Sequence, residues 1–417
     1  MAARMAATRK MTTEPVTRHF PVPMLAARIF TITQKAGFDS RIVGGAVRDW
    51  LAGRPIVDID MAIAAPIHDA ADLFRRQGLK VIETGIEHGT VTVVEDGQHL
   101  EITQTRVDLE TDGRHATVAF SDDWAADAAR RDFTINAVYV DSSGRIEDPL
   151  GGCEDLKAGI LRFVGDATRR VEEDALRMLR YCRFLPDFGT AGIDDRALAA
   201  ITDRAGLAAT LSGERVATEL RRLLSRQGAT TAIGLMRDTG LAAAALGVVP
   251  EAARLTAEVD RAVEIAAGDE CPAWLVRLAV IAPPGTAARL ATRLRLSRRD
   301  DNFLLGLDMT DASAEFDSLS GANWQQAVYW LCRAGGVPAA TMIVAGARAG
   351  CVPDHDHLVR LTGWSPPRFP LQGADLLSQG VDSGPAVGEM LRAAERLWVD
   401  RHFTPTRADL LAFLDLG

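Results

Sequence analysis

A chain of 417 residues, 47% of them hydrophobic, is too long for one compact core and supplies apolar surface for two or more domains. Its formal charge of −9 excludes a general polyanion binder, so contact with a nucleic acid needs locally basic surface. No apolar run reaches the length of a membrane span. The 5 cysteines are odd in number, widely spaced and without a CxxC pair, which reads as reduced cytoplasmic thiols and not as a disulfide framework or a zinc site.

The first 20 residues hold Arg4, Arg9, Lys10 and Arg18 but no apolar stretch of the kind a signal peptide needs, so 1–22 reads as a flexible tail. Helical spacing over 24–36 leads to a short β-branched strand end at Arg41-Ile-Val43. Gly44 and Gly45 free the backbone to approach a ligand. A helix over 46–52 then offers its N-terminal amides to an anion such as phosphate. Arg48, one turn in, is placed for a bidentate phosphate clamp. Asp58-Ile-Asp60 reads as a strand whose alternation aims both carboxylates at one point, with Ile59 packed behind. Two hard oxygen donors on a rigid strand suit Mg²⁺ completed by substrate phosphates. A lone Gly-Gly turn is usually only a turn, and a lone DxD a solvated edge. Their order and closeness here point to metal-assisted nucleotidyl transfer.

Further strands are expected over 79–84, 91–95, 100–105 and 137–140, broken by glycines 85, 89, 97 and 144, with a helix over 68–77. The result is an α+β head with a mixed sheet over 23–150. Glu101 and Thr103 share one strand face, and Glu101 is either a third metal carboxylate or a solvent-facing residue. His88 sits in a turn beside glycine, where a structural role outweighs that of a base. Residues 108–124 form a polar stretch of little periodicity. Pro149 and the paired glycines of DPLGG suit a bend. From about 170 the chain turns helical, as over 197–204, 214–224 and 230–237, giving an all-helical neck (151–225), body (226–350) and tail (351–417). Asp174 and Arg177 fall three apart on a helix, on adjoining faces. Arg180 and Arg183 continue the spacing with a drift that turns Arg183 almost opposite Asp174, to brace the domain junction or reach a phosphate. Arg215, Arg221 and Arg222 add locally basic side chains to the 214–224 helix. The cluster Arg293, Arg295, Arg298 and Arg299 is either a phosphate contact or a solvated helix face. His355 and His357 in PDHDH lack a further metal array, and a polar loop is expected there.

The strings GGAVRDWLAGRPIVDID, RRDFTIN at 130–136, DPLGG and VEEDALRMLRYCRF at 171–184 resemble the polymerase-β-like nucleotidyltransferases that add CCA to tRNA or poly(A) to RNA. The resemblance covers nearly the whole chain and is strongest over 42–224. It implies a CCA-adding enzyme of the bacterial-type class acting on tRNA with CTP and ATP. Two Mg²⁺ would be held by Asp58 and Asp60, with Glu101 as the candidate third carboxylate, and Gly45 and Arg48 would hold the triphosphate. Arg131 and Asp132 inherit contacts to sugar and phosphates. Asp174 and Arg177 inherit a protein template for the incoming base, with Arg180 and Arg183 in the same nucleotide site. Residues 108–124 resemble the flexible loop tied to the change from C to A addition. Glu214–Leu224 resembles the following neck helix, and Gly373 to Gly388 the tail. No membrane and no obligate protein partner are implied. The rivals are a poly(A) polymerase, a partial CC- or A-adding enzyme and an inactive RNA-binding relative. ETGIEHGTV after the DxD, where poly(A) polymerases carry a basic strand, favours the CCA branch.

Overall fold

The computed structural model describes residues 19–111, 116–308 and 312–416. They divide into two compact units, one of 1–174 with 188–197 and one of 175–187 with 198–417. Residues 151–174, assigned to the neck from the sequence, therefore lie in the first unit.

The first unit is built on a mixed seven-stranded sheet in the order β3-β4-β5-β2-β1-β8-β9. Its strands are β1 (Ser40–Val43), β2 (Asp60–Ile63), β3 (Lys80–Ile82), β4 (Thr90–Glu95), β5 (Gln98–Gln104), β8 (Tyr139–Val140) and β9 (Ile146–Glu147). β2 pairs parallel with β5, while β1 pairs antiparallel with both β2 and β8. β6 (Arg106–Thr111) and β7 (Ala116–Phe120) make a separate antiparallel ribbon with a bulge between Asp108 and Glu110. The described part of the stretch read as a polar, flexible loop is thus largely paired as a hairpin, and residues 112–115 lie outside the described part.

Period-two alternation sorts the strands onto two faces. Ile42, Met61, Ile63, Leu100 and Ile102 enter a core with helices α1 (Met24–Lys35) and α3 (Ile67–Arg76). A buried side chain of this size contributes about 1.5–3 kcal/mol. Phe20, assigned to the tail from the sequence, is buried in that core and stacks edge-on against Trp50. The order begins before residue 22; positions 1–18 lie outside the described residues. On the opposite face, Val43, Ala62 and Tyr139 pack with Ala128 of α4 (Trp124–Ala129). α2 (Gly45–Leu51) follows β1, α5 (Gly152–Ala158) follows β9, and α6 (Ala167–Glu173) closes the main stretch.

The second unit is helical. Ala273–Ile281 is buried from Trp274 onward and Pro338–Ala349 along most of its length. Arg277, fully buried, donates to Asp260 at 2.6 Å, to Glu264 at 2.6 Å and to the Leu224 carbonyl at 3.0 Å. Tyr329, Trp398, Phe403 and Trp364 form an aromatic cluster in its last third. PDHDH is a helix start and not a polar loop. Asp354 caps helix His355–Gly363 by accepting from the His357 amide at 3.0 Å, and the buried His357 ring lies 2.8 Å from the Leu319 carbonyl. All five cysteines are free thiols. Among the described residues no single helix is long and apolar enough to cross a membrane. A bent pair, Trp324–Arg333 with Pro338–Ala349, has the composition, and its second helix is a core helix of this unit.

Candidate active site

Asp60 opens β2 on the face that carries Ala62, so its carboxylate lies on the side covered by α4. Asp58 is not on that strand. The chain from 54 to 59 is irregular, Asp58 is exposed, and Ile59 packs against the head core. The expected single strand therefore shrinks to its second carboxylate, whose register partner Val43 is the last residue of β1 before the Gly44 turn. Glu101 is the register partner of Asp60 on β5. Burial raises the proton affinity of Asp60, Glu101 and Asp58 add to it, and Arg131 opposes it. The carboxylate is open to solvent on one side, yet three acidic groups crowd each other there.

Gly44 has φ +79° and ψ −133°, a conformation that only glycine adopts without strain. A Cβ there would stand 3.9 Å from both Arg131 Nη1 and Asp60 Oδ2, so the turn passes beside the acidic group. Gly45 begins α2, and a Cβ on it would meet Arg48 Nη2 at 3.6 Å.

Arg48 is buried and engaged. It donates to Asp49 through Nε at 2.9 Å and to the Asn136 side-chain carbonyl through Nη1 at 2.8 Å, with its guanidinium 4.6 Å from the Phe188 ring. Asn136 in turn donates to Asp132 Oδ1 at 2.9 Å, where the Phe133 amide also binds. The proposed phosphate clamp is in this structure a buried tie between α2 and the RRDFTIN segment.

Asp174 ends α6 in an extended conformation, φ −152° and ψ 105°, and α7 (Leu176–Phe188) starts afresh after it. The expected continuous helix through Asp174 and Arg177 is broken, and the pair is not an i,i+3 pair on one helix. Asp174 belongs to the first unit, whereas Arg177, Arg180 and Arg183 belong to the second. There Arg183 donates to the buried Glu219 at 2.5 Å and lies 3.8 Å from the Phe184 ring, with Arg180 3.9 Å from Glu219. These contacts lie within the second unit and tie α7 to the helix that carries Glu219. Asp148 caps α5 by accepting from the amides of Gly152 and Cys153, both at 2.8 Å. A Cβ on Gly152 would lie 2.1 Å from the Thr134 carbonyl, so DPLGG is a tightly packed corner inside the first unit. His88 ends a one-turn helix, is exposed, and lends its carbonyl to Arg106 at 3.2 Å. In the second unit, Arg221, Arg222 and Arg295 line a cleft with Glu214 and Ser297, and Arg295 is paired with Glu214 at 2.7 Å.

Two residues of this network, Asp127 and Tyr139, carry no role in the sequence reading, and Asn136 enters it only as the end of the RRDFTIN string. Asp127 was legible, since Arg130 and Arg131 follow it at three and four residues, where a helix end brings side chains together.

Among the described residues no three acidic, histidine or cysteine side chains form a ready-made cage for an ion. The donor set suits a different kind of site. Carboxylates on neighbouring strands crowd one another at Asp60, and a hard cation completed by substrate oxygens relieves that crowding.

Acidic strand ends beside a glycine turn and an arginine, on a mixed sheet, define a nucleotidyltransferase head. Residues 40–162 match the family described as Poly A polymerase head domain, and 192–256 that described as probable RNA and SrmB- binding site of polymerase A. The chain is 32% identical over 404 residues to the mitochondrial CCA tRNA nucleotidyltransferase 1 of Danio rerio, covering 92% of this chain and 88% of that protein. It is 43% identical over 207 residues to the CCA-adding enzyme of Geobacillus stearothermophilus, about half of each chain (49% and 50%). The crystal structure of the Bacillus stearothermophilus CCA-adding enzyme in complex with CTP superposes with a TM-score of 0.71 at 29% identity, covering 90% of this chain and 92% of that one. The chain belongs to the family of CCA-adding tRNA nucleotidyltransferases.

Proposed function

We propose that this protein adds C, C and A in turn to the 3′ end of tRNA, taking CTP and ATP, releasing pyrophosphate and using Mg²⁺. The observation that carries the reading is the in-register Asp60–Glu101 pair with Arg131 Nη1 beside it at the Gly44 turn. Asp58, Asp60 and Glu101 are the residues that would hold the metal. Bound there, Mg²⁺ supplies neutralisation of triphosphate charge and a more acidic attacking hydroxyl. Gly44 and Gly45 leave room for the triphosphate, and Arg131 donates to its oxygens. Asp132, held by Asn136 and its neighbouring amide, is oriented to accept from a ribose hydroxyl. Arg48 serves this site through Asn136. Asp174 and Arg177 read the base edge. Arg180 and Arg183 support α7 through Glu219. The cleft with Arg221, Arg222 and Arg295 offers basic surface to the tRNA backbone. Five free thiols fit a reducing compartment, and we place the enzyme in the cytoplasm; subcellular fractionation tests that.

The decisive experiment incubates the protein with tRNA lacking CCA and with each NTP singly and together, with products resolved to one nucleotide. CTP alone should give CC, and both nucleotides CCA. A long A tract from ATP alone would make it a poly(A) polymerase, and arrest at CC or a need for preformed CC would make it a partial enzyme.

A further inference from the structure

Asp127 is a fully buried carboxylate that belongs to no strand, metal set or cap. A charge in such a place persists only when its lone pairs are filled. Oδ2 accepts from Arg131 Nε at 3.2 Å, from Arg131 Nη2 at 2.9 Å and from the Tyr139 hydroxyl at 2.8 Å. Oδ1 accepts from Arg130 Nε at 2.8 Å and Nη2 at 2.5 Å. Arg131 thus spends one whole edge of its planar fork on Asp127. The third nitrogen, Nη1, is the one beside Gly44 and Asp60.

We propose that Asp127, braced by Tyr139, is a positioning residue that locks one edge of Arg131 so that Nη1 is presented to the triphosphate at the Asp60 side. The inference rests on the reading of Arg131 as a nucleotide contact. Because a guanidinium is rigid and planar, fixing Nε and Nη2 fixes the direction of Nη1, which a lysine cannot reproduce. Asp127 also competes with Asp60 for the same cation. Without it, Arg131 is drawn onto Asp60 and is lost to the nucleotide.

The test uses the full-length protein and the variants D127N, Y139F, R131A and D127N/R131A. Equilibrium binding of CTP and of ATP is measured in EDTA, and KM and kcat are measured separately with tRNA lacking CCA. D127N should weaken nucleotide binding about ten- to a hundredfold, the range for losing a charge-assisted hydrogen bond. KM should rise more than kcat falls. R131A should weaken binding similarly, and the double variant should bind no more weakly than R131A. Y139F should shift binding in the same direction by less. Multiplying effects in the double variant, or wild-type binding by D127N, would overturn the inference alone. Wild-type binding by R131A would overturn the role of Arg131 as well. If D127N does not fold, Y139F decides, and its binding nucleotide like wild type would sink the proposal.

Discussion

Asp60 and Glu101 are register partners across the parallel β2–β5 pair, and after burial itself Glu101 is the strongest influence raising the proton affinity of Asp60. The site stores repulsion that a bound cation relieves, which trades stability for activity. Asp58→Ala and Asp60→Ala should abolish nucleotide addition and leave tRNA retention on filters nearly unchanged. Glu101→Gln should keep partial activity and need more Mg²⁺ for half-maximal rate. Asp60→Asn, which removes charge and keeps shape, should melt no lower than wild type in metal-free buffer. Near-normal turnover by either alanine variant, or a clearly lower melting temperature for Asp60→Asn, would contradict this assignment.

Arg48 differs from the acidic pair in being structural first. Its guanidinium satisfies Asp49 and Asn136 and stacks on Phe188 within the first unit. Burial lowers its proton affinity and the Asp49 charge opposes that, so it is a paired buried cation. Arg48→Gln should destabilise the protein by about 2–4 kcal/mol, because Asp49 is left without its ion partner. Arg48→Lys should recover little, since one ammonium cannot replace three directed donors. Thermal melting measures both. If Arg48→Gln melts like wild type but raises KM for both nucleotides, Arg48 is a direct phosphate clamp.

The head was legible because its signals are local. Alternation and glycine breaks placed β1, β4 and β5 within a residue or two, and the GGAVRD and DID strings marked the site. What escaped depends on distant partners. Arg183 meets Glu219 through a contact that no short window contains. The break at Asp174 carries neither proline nor glycine, so no local signal marks it. Asp354, by contrast, was a readable helix cap.

The thiols give a pH-dependent check on the packing. Burial pushes Cys182 up to about 12 and Cys271 up to about 11, whereas an ordinary cysteine ionises near 8.5. A raised thiol value means the protonated, unreactive form persists as pH climbs, so at pH 9 both should remain silent to a thiol reagent. Cys351, exposed, should react first, and all 5 should react once the chain is denatured. Rapid native labelling at Cys182, located by peptide mass mapping, would show that α7 is less tightly packed than described.

The proposed base-reading role of Asp174 and Arg177 gives the sharpest test of specificity. Cytosine and adenine each present an amino donor beside a ring acceptor. A carboxylate next to a guanidinium complements both, with Asp174 accepting from the amine and Arg177 donating to the ring nitrogen. Uracil and guanine reverse the pattern, so both contacts become unfavourable, each by about 1–3 kcal/mol where water is excluded. Asp174 leaves the helix for an extended conformation, so its side chain and that of Arg177 are not placed by the spacing of one continuous helix. Asp174→Ala and Arg177→Ala should therefore lower use of CTP and ATP and relax rejection of UTP and GTP, with metal dependence unchanged. Competition among all four nucleotides on tRNA lacking CCA measures the ratios. Variants that lose activity yet keep wild-type CTP/UTP and ATP/GTP preferences would make the pair structural and move base selection to other residues.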